Sequence, residues 1–121
     1  MSKRILIVDD NEDNRRILRD LLTAAGMDVV EAVTGEDAVG CAQREPLDLV
    51  LMDIQLPGID GYEATRRIKA LPATKAVPVI AVTSYALAGD ERKARDAGCD
   101  GYVSKPFSPR ALLAKVREYL A

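Results

Sequence analysis

Acidic side chains follow two apolar runs of this 121-residue chain, where strands are expected to end. Asp9 and Asp10 come directly after one short run, and Asp53 closes a longer one. Thr83 and Lys105 each follow a further run. The carboxyl ends of strands in an open parallel sheet share one edge, where ligands bind. We therefore expect three carboxylates, a hydroxyl and an ammonium group to meet in one cleft.

Crowded carboxylates need a compensating cation or bound protons. Two unit charges about 4 Å apart repel by about 4 kcal/mol at an effective dielectric near 20. Adjacent aspartates usually lie in a solvated loop, but a third aspartate ending a buried strand argues against that here. Carboxylates, a backbone carbonyl and waters suit Mg²⁺ or Mn²⁺. The pattern predicts a metal site at Asp9, Asp10 and Asp53.

Asp53 is also a candidate nucleophile, because a carboxylate can accept a phosphoryl group as an aspartyl phosphate. The Thr83 hydroxyl could bond a phosphoryl oxygen, and Lys105 would supply a point charge. Two ordinary alternatives stay open at this stage. The hydroxyls of Thr83 and Ser84 could cap the next helix, and Asp53 with Lys105 could be a structural ion pair.

Strand-like and helix-like segments alternate five times, which predicts parallel βα units in one α/β domain over residues 1–121. A short second strand is expected over Asp28–Ala32, and Gly26 before it is placed as a left-handed helix cap. Five helices are expected. The first runs over about 13–25, the second follows a cap at Thr34, and the third runs from near Asp60 to before Pro72. The fourth runs over about 87–97, and the last begins at Ser108–Pro109.

Helical spacing predicts which faces are buried. The first helix should turn five apolar residues inward: Ile17, Leu18, Leu21, Leu22 and Ala25. The fourth helix is weakly apolar, with Leu87 and alanines inward and charged residues outward. The last helix should bury its own apolar set: Leu112, Leu113, Val116, Tyr119 and Leu120.

Composition excludes several classes of protein. Net charge is −2, with no Trp and one Phe, so neither a basic nucleic-acid surface nor a base-stacking platform is expected. Without histidine, the chain cannot form a Ser-His-Asp site or donate phosphohistidine itself. Cys41 and Cys99 fit no zinc spacing and read as reduced, buried thiols. No signal peptide or membrane span is evident, so a cytoplasmic protein is expected.

Four segments together resemble the receiver domain of two-component response regulators: 5–11, 51–61, 79–84 and 102–107. The resemblance covers the whole chain, and its texture is most similar to DivK-type regulators and to receivers of hybrid histidine kinases. It implies a flavodoxin-like (CheY-like), doubly wound (βα)5 fold with a five-stranded parallel sheet in the order 2-1-3-4-5.

The resemblance also implies the chemistry. Asp53 would take a phosphoryl group from a phosphohistidine on a histidine kinase or histidine phosphotransfer protein. Asp10, Asp53 and the main-chain carbonyl of Gln55 would ligate Mg²⁺, and Asp9 would act through metal-bound water. The domain would signal rather than catalyse, apart from its own phosphoryl transfer and autodephosphorylation.

A switch is implied as well. Thr83 and Lys105 would hold phosphoryl oxygens, and Tyr102 would turn inward on activation. The surface made by the fourth helix, fifth strand and last helix would then bind a downstream protein partner. Neither nucleic acid nor a membrane is expected as a partner.

Other α/β proteins with related sites fit the sequence less well. A haloacid-dehalogenase-type phosphatase needs a second aspartate two residues after the first, where this chain has Gln55, and usually a cap domain. An FMN-binding flavodoxin would want a hydroxyl- and glycine-rich loop after the first strand, whereas Asp9 and Asp10 repel phosphate. A pure phosphate shuttle, or a receiver excised from a hybrid kinase, stays compatible with the sequence.

Overall fold

The computed structural model describes residues 2–83, 90–105 and 107–120. Within them, five strands alternate with five helices. In chain order they are β1 (Arg4–Val8), α1 (Glu12–Ala24), β2 (Asp28–Ala32), α2 (Gly35–Arg44), β3 (Leu49–Asp53), α3 (Gly61–Ala70), β4 (Val79–Thr83), α4 (Asp90–Ala97), β5 (Gly101–Ser104) and α5 (Pro109–Leu120).

The strands form one parallel sheet in the order β2-β1-β3-β4-β5, which confirms the predicted topology. The register brings the strand ends to one edge. Val8 pairs with Met52, Asp53 with Val82, and Thr83 with Ser104. The side chains that follow or end these strands are therefore neighbours, as the sequence predicted.

The two faces of the sheet bury separate clusters because successive strand side chains point to opposite sides. Large aliphatic residues such as Ile5, Ile7 and Leu51 pack with α1 and α5 residues. The other face packs against α2, α3 and α4, and it uses smaller side chains such as Ala64 and Ala94. The central strands β1, β3 and β4 are thus covered on both sides.

Side-chain caps begin helices α1, α2, α3 and α5. Asn11, Thr34, Asp60 and Ser108 each accept a hydrogen bond from the main-chain N–H three residues later, at 2.9–3.2 Å. Such caps typically contribute about 1 kcal/mol each. Gly26 has φ 85°, as expected of a left-handed cap.

One predicted core residue is wrong. Ile17 is 51% exposed, whereas Leu18 and Leu22 of the same helix are buried and Leu21 is half-buried. Five apolar positions make a stripe wider than the contact of α1 with the sheet, so its outer edge stays in water. The first helix also runs one residue earlier than predicted, from Glu12 to Ala24.

The other helical faces agree with the sequence. In α4, Ala94 and Ala97 are buried, while its described charged residues are exposed. In α5, Leu112 and Val116 are buried. Ser84, a possible helix cap, and Leu87, expected in the core, lie outside the described residues.

Both cysteines, Cys41 and Cys99, are free and buried, as predicted. Burial raises the pKa of each thiol. Across the described ranges, no helix combines the length and the apolarity that crossing a membrane requires.

Candidate functional site

Three carboxylates converge at the carboxyl edge of the sheet. One carboxylate oxygen from each of Asp9, Asp10 and Asp53 can be chosen so that all three lie within 4.8 Å of one another. Asp9 is 2% exposed and Asp53 is 5% exposed, whereas Asp10 is exposed. Two buried carboxylates and one at the surface form a cluster that opens to solvent on one side.

Hydrogen bonds hold both carboxylate oxygens and the main-chain N–H of Asp9. Its Oδ1 accepts a hydrogen bond from the Asn11 N–H at 2.9 Å, and its Oδ2 accepts one from Lys105 Nζ at 3.2 Å. Its own N–H donates to the Ala32 carbonyl at 3.1 Å, which extends the β1–β2 pairing by one residue. Buried charge is tolerated only with such partners.

Asp53 is the carboxylate most perturbed by its surroundings. Burial, with a smaller contribution from the neighbouring charges of Asp9 and Asp10, raises its pKa from 3.8 to about 6. Lys105 and the Gln55 N–H, which donates to Asp53 Oδ1 at 3.1 Å, oppose it. A carboxyl group with such a pKa at a strand end is a candidate functional group.

Lys105 bridges the acid cluster. Its Nζ lies 3.2 Å from Asp9 Oδ2 and 3.8 Å from Asp53 Oδ2, and its side chain is 17% exposed. The Lys105 N–H donates to the Thr83 carbonyl at 2.7 Å, which anchors the residue to β4 just past the end of β5. The sequence expectation that Lys105 reaches Asp53 is met, and its shorter contact is with Asp9.

Gln55 joins Thr83 to the acid cluster. Its main-chain N–H bonds Asp53, and its side-chain Nε2 donates to Thr83 Oγ1 at 2.7 Å. Thr83 is 1% exposed, whereas Gln55 is exposed. The sequence singled out the Gln55 carbonyl but did not predict this side-chain contact with Thr83.

Tyr102 is half-buried and packs against the cluster on the α2–α4 face. It pairs in register with Ala81, two residues before Thr83 on the neighbouring strand. Since side chains alternate along a strand, Tyr102 and Thr83 project from the same face of the sheet. This places the two residues predicted to move together on one side of β4 and β5.

A network around Arg15 was missed from the sequence. Arg15 Nη1 donates to the Asp9 carbonyl at 2.9 Å, and its Nε donates to Glu31 Oε1 at 3.3 Å. Arg19 Nη1 bonds the other Glu31 oxygen at 2.9 Å. An arginine on an amphipathic helix reads as an ordinary surface residue, and no spacing rule would have linked it to Asp9.

The donor set fits a hard divalent cation. Mg²⁺ prefers oxygen ligands and is usually bound by one or two carboxylates with several waters retained. The exposed side of the cluster, at Asp10, leaves room for water. The like-charge contribution to the raised pKa of Asp53 is the electrostatic condition that a bound cation would relieve.

Comparison with known proteins gives the family. Residues 5–117 match the model of the response regulator receiver domain. The chain belongs to this family. The receiver is also 41% identical over 120 residues to the polar-differentiation response regulator DivK of Brucella ovis, covering 99% of this chain and 98% of that protein.

Solved structures agree with the assignment. The receiver domain of the sensor histidine kinase PA1611 from Pseudomonas aeruginosa PAO1, described with a magnesium ion in its active-site cleft, is 37% identical with a TM-score of 0.92, covering 99% of this chain and 98% of that one. A CheY-like receiver from Methanospirillum hungatei JF-1 is 34% identical with a TM-score of 0.93, covering 99% and 94%. The fold and family predicted from sequence are confirmed.

Proposed function

We propose that this receiver accepts a phosphoryl group on Asp53 from a phosphohistidine of a histidine kinase or histidine phosphotransfer protein. The observation that carries the proposal is the placement of Asp53. It is a buried carboxylate with an oxygen within 4.8 Å of oxygens from two others, and Lys105 Nζ lies 3.8 Å from its Oδ2. Residues 1–121 act as one receiver domain in this proposal, in a cytoplasmic two-component pathway.

The transfer itself is a displacement at phosphorus. An oxygen of ionised Asp53 attacks, the phosphorus–nitrogen bond of the donor breaks, and the imidazole leaves with the bonding electrons. Lys105 supplies positive charge beside the incoming oxygens, and the Thr83 hydroxyl donates to one of them. Positioning and electrostatics carry most phosphoryl transfers, so a general base on the protein is not required.

Asp10, Asp53 and the Gln55 carbonyl are proposed as the Mg²⁺ ligands, with Asp9 acting through water. When bound, Mg²⁺ or Mn²⁺ would offset the negative charge of the carboxylates and of the phosphoryl oxygens. The magnesium ion described in the PA1611 receiver supports this role. Lys105 pairs with Asp9, so the ammonium and the cation would share the charge of the cluster.

The donor would approach over the rim of the cleft formed by α1 and the start of α5. Beside Asp9 and Lys105, this rim presents apolar side chains, including exposed Ile17 and half-buried Phe107. An apolar rim around a charged centre suits a protein partner that must exclude water while its phosphohistidine reaches Asp53.

Phosphorylation replaces one negative charge with roughly two and adds acceptor oxygens. Drawing Thr83 toward the phosphoryl group would open space on the face that Tyr102 shares. The surface of α4, β5 and α5 would then change and bind a downstream protein. A groove between β5 and α5, lined by Tyr102 and Leu112, supports this choice of face.

The test is beryllofluoride or acetyl phosphate with and without Mg²⁺, followed by amide NMR shifts. We expect Mg²⁺-dependent shifts around Asp53 that spread to Thr83, Tyr102 and α4. Asp53→Asn should abolish them. Asp13→Asn, which removes one charge from a side chain that is 80% exposed, should not. Shifts confined to the cleft would favour a phosphate shuttle, and no response would overturn the proposal.

A further inference from the structure

We propose that Arg15 is a positioning residue for the adjacent aspartates Asp9 and Asp10. In this role it raises the Mg²⁺ affinity of the receiver although it carries positive charge. The inference rests on the proposed function, because it concerns the same metal site. It assigns a role to a residue of α1 whose guanidinium bonds a main-chain atom of the site rather than a carboxylate.

Arg15 holds the peptide group that joins Asp9 to Asp10. Its Nη1 donates to the Asp9 carbonyl at 2.9 Å, while the Asp9 N–H is held by the Ala32 carbonyl at 3.1 Å. With both of these groups bonded, the backbone of Asp9 and the plane of the peptide that joins it to Asp10 are held in place. Arg15 therefore restrains the backbone from which the Asp10 side chain starts.

Asp10 depends on this backbone support more than its neighbours do. Asp9 is held through both carboxylate oxygens, and Asp53 through the Gln55 N–H and Lys105. Over the described part of the chain, the exposed Asp10 carboxylate has no hydrogen bond or ion pair of its own. Its position beside the other two carboxylates therefore depends chiefly on the main chain that carries it.

Arg15 is itself held in place. Its side chain is only 14% exposed, and Glu31 on β2 accepts its Nε at 3.3 Å. Arg19 bonds the second Glu31 oxygen at 2.9 Å. Glu31 thus orients Arg15 so that the guanidinium spans from β2 to the end of β1. A lysine could not span it, because an ammonium lacks the planar fork that serves two acceptors in fixed directions.

The two effects of Arg15 on cation binding have opposite signs. A nearby positive charge repels Mg²⁺, so removing it for electrostatic reasons alone should strengthen binding. Loss of a group that orients metal ligands should weaken binding, typically by about tenfold or more. The direction of the change therefore distinguishes positioning from charge.

The test measures Mn²⁺ binding by electron paramagnetic resonance and Mg²⁺ by competition. We expect Arg15→Met to weaken binding by about tenfold. Arg15→Lys, which keeps the charge, should weaken it nearly as much. Arg16→Met is the matched control, because Arg16 is the next residue of the same helix and its side chain is 62% exposed. The Mg²⁺ affinity of this variant should be unchanged or slightly higher than that of the wild type.

The amide NMR spectrum of each variant is recorded as well. It must show a folded protein, and the largest shift differences from the wild type are expected at residues 9–11. Should Arg15→Met not fold, Arg15→Gln takes its place, since it also removes the positive charge but keeps a polar side chain, and a loss of affinity is again expected. Equal or tighter binding by folded Arg15→Met and Arg15→Lys would overturn the inference. Absence of metal binding by the wild type would instead overturn the proposed function.

Discussion

Lys105 and Asp9 form a closer ion pair than Lys105 and the proposed phosphoacceptor. The Nζ lies 3.2 Å from Asp9 Oδ2 and 3.8 Å from Asp53 Oδ2. The ammonium therefore partly neutralises Asp9 while remaining near enough to Asp53 to lower its pKa. A modest movement toward Asp53 would bring it to a phosphoryl oxygen there.

Replacing Lys105 should separate metal binding from switching. We expect Lys105→Ala to leave Mg²⁺ affinity at pH 8 largely intact, because a competing cation is lost rather than a ligand. Beryllofluoride shifts should then stay near Asp53 and fail to reach Tyr102 and α4. Amide NMR titrations measure both properties, and a normal shift pattern at α4 in this variant would contradict the role given to Lys105.

Asp53 should destabilise the metal-free fold at neutral pH. Its folded pKa of about 6 exceeds the ordinary 3.8, so the folded state binds more protons between these values. The free energy of unfolding should therefore fall as pH rises through that window. Asp53→Asn should be more stable at pH 7.5 without metal, by up to about 3 kcal/mol.

Urea unfolding at pH 7.5 and near pH 4 checks this. The advantage of Asp53→Asn should shrink to a small fraction of its value at the lower pH, where folded Asp53 is protonated and the unfolded carboxyl is partly protonated. Saturating Mg²⁺ should also reduce the stability difference between Asp53→Asn and the wild type, since metal binding stabilises the wild-type fold. An advantage independent of pH would show that charge burial is not its cause.

Proton and metal should compete for Asp53. A protonated carboxyl is a poor ligand, so Mg²⁺ affinity should fall as pH drops below about 6 and level off above it. The slope of log affinity against pH below the midpoint should approach one. Isothermal titration in two buffers of different ionisation enthalpy would also count the released protons, and zero release at pH 5.5 would count against the assignment.

Gln55 and Thr83 should be energetically coupled. Because the Gln55 amide donates at 2.7 Å, Thr83 Oγ1 acts as acceptor in that bond and its own proton is directed elsewhere. Gln55→Glu would reverse this, since a carboxylate only accepts, and would add a negative charge near the cluster. We expect beryllofluoride binding to weaken more in Gln55→Glu than in Gln55→Leu.

A double-mutant cycle with Thr83→Val measures that coupling. For Gln55→Leu, the interaction energy in stability should be about 1 kcal/mol, as for an ordinary hydrogen bond. Additive effects would mean that the contact carries no free energy. Gln55→Ser then serves as a shorter polar control that cannot span the distance.

Gly61 should resist substitution because α3 begins against the strand that carries Asp53. A Cβ on Gly61 would collide with the Asp53 carbonyl and lie 2.7 Å from the Ile54 Cα. Gly61→Ala should cost roughly 1–3 kcal/mol and weaken Mg²⁺ binding by moving residues 54–60. Gly40→Ala in α2 is the control: its Cβ meets only the flexible Arg44 side chain, so a gain of up to about 1 kcal/mol is expected by thermal unfolding.

The sequence predicted the sheet edge well because strand ends can be located one strand at a time. Asp9, Asp10 and Asp53 needed only the parallel βα rule to come together. Arg15 and Glu31 could not be predicted in the same way, since their contact depends on how closely α1 approaches β2. Ile17 was misplaced for the same reason: periodicity gives the direction of a helical face but not the width of its contact.

The weak attachment of α4 has a consequence for divergence among related receivers. Within its described residues, only the methyl groups of Ala94 and Ala97 reach the core, and the exposed positions 91–93, 95 and 96 are all charged. New side chains at those exposed positions would leave the packing of the core largely undisturbed. If the proposed partner surface includes α4, its recognition can therefore change by mutation while the carboxylate site is kept.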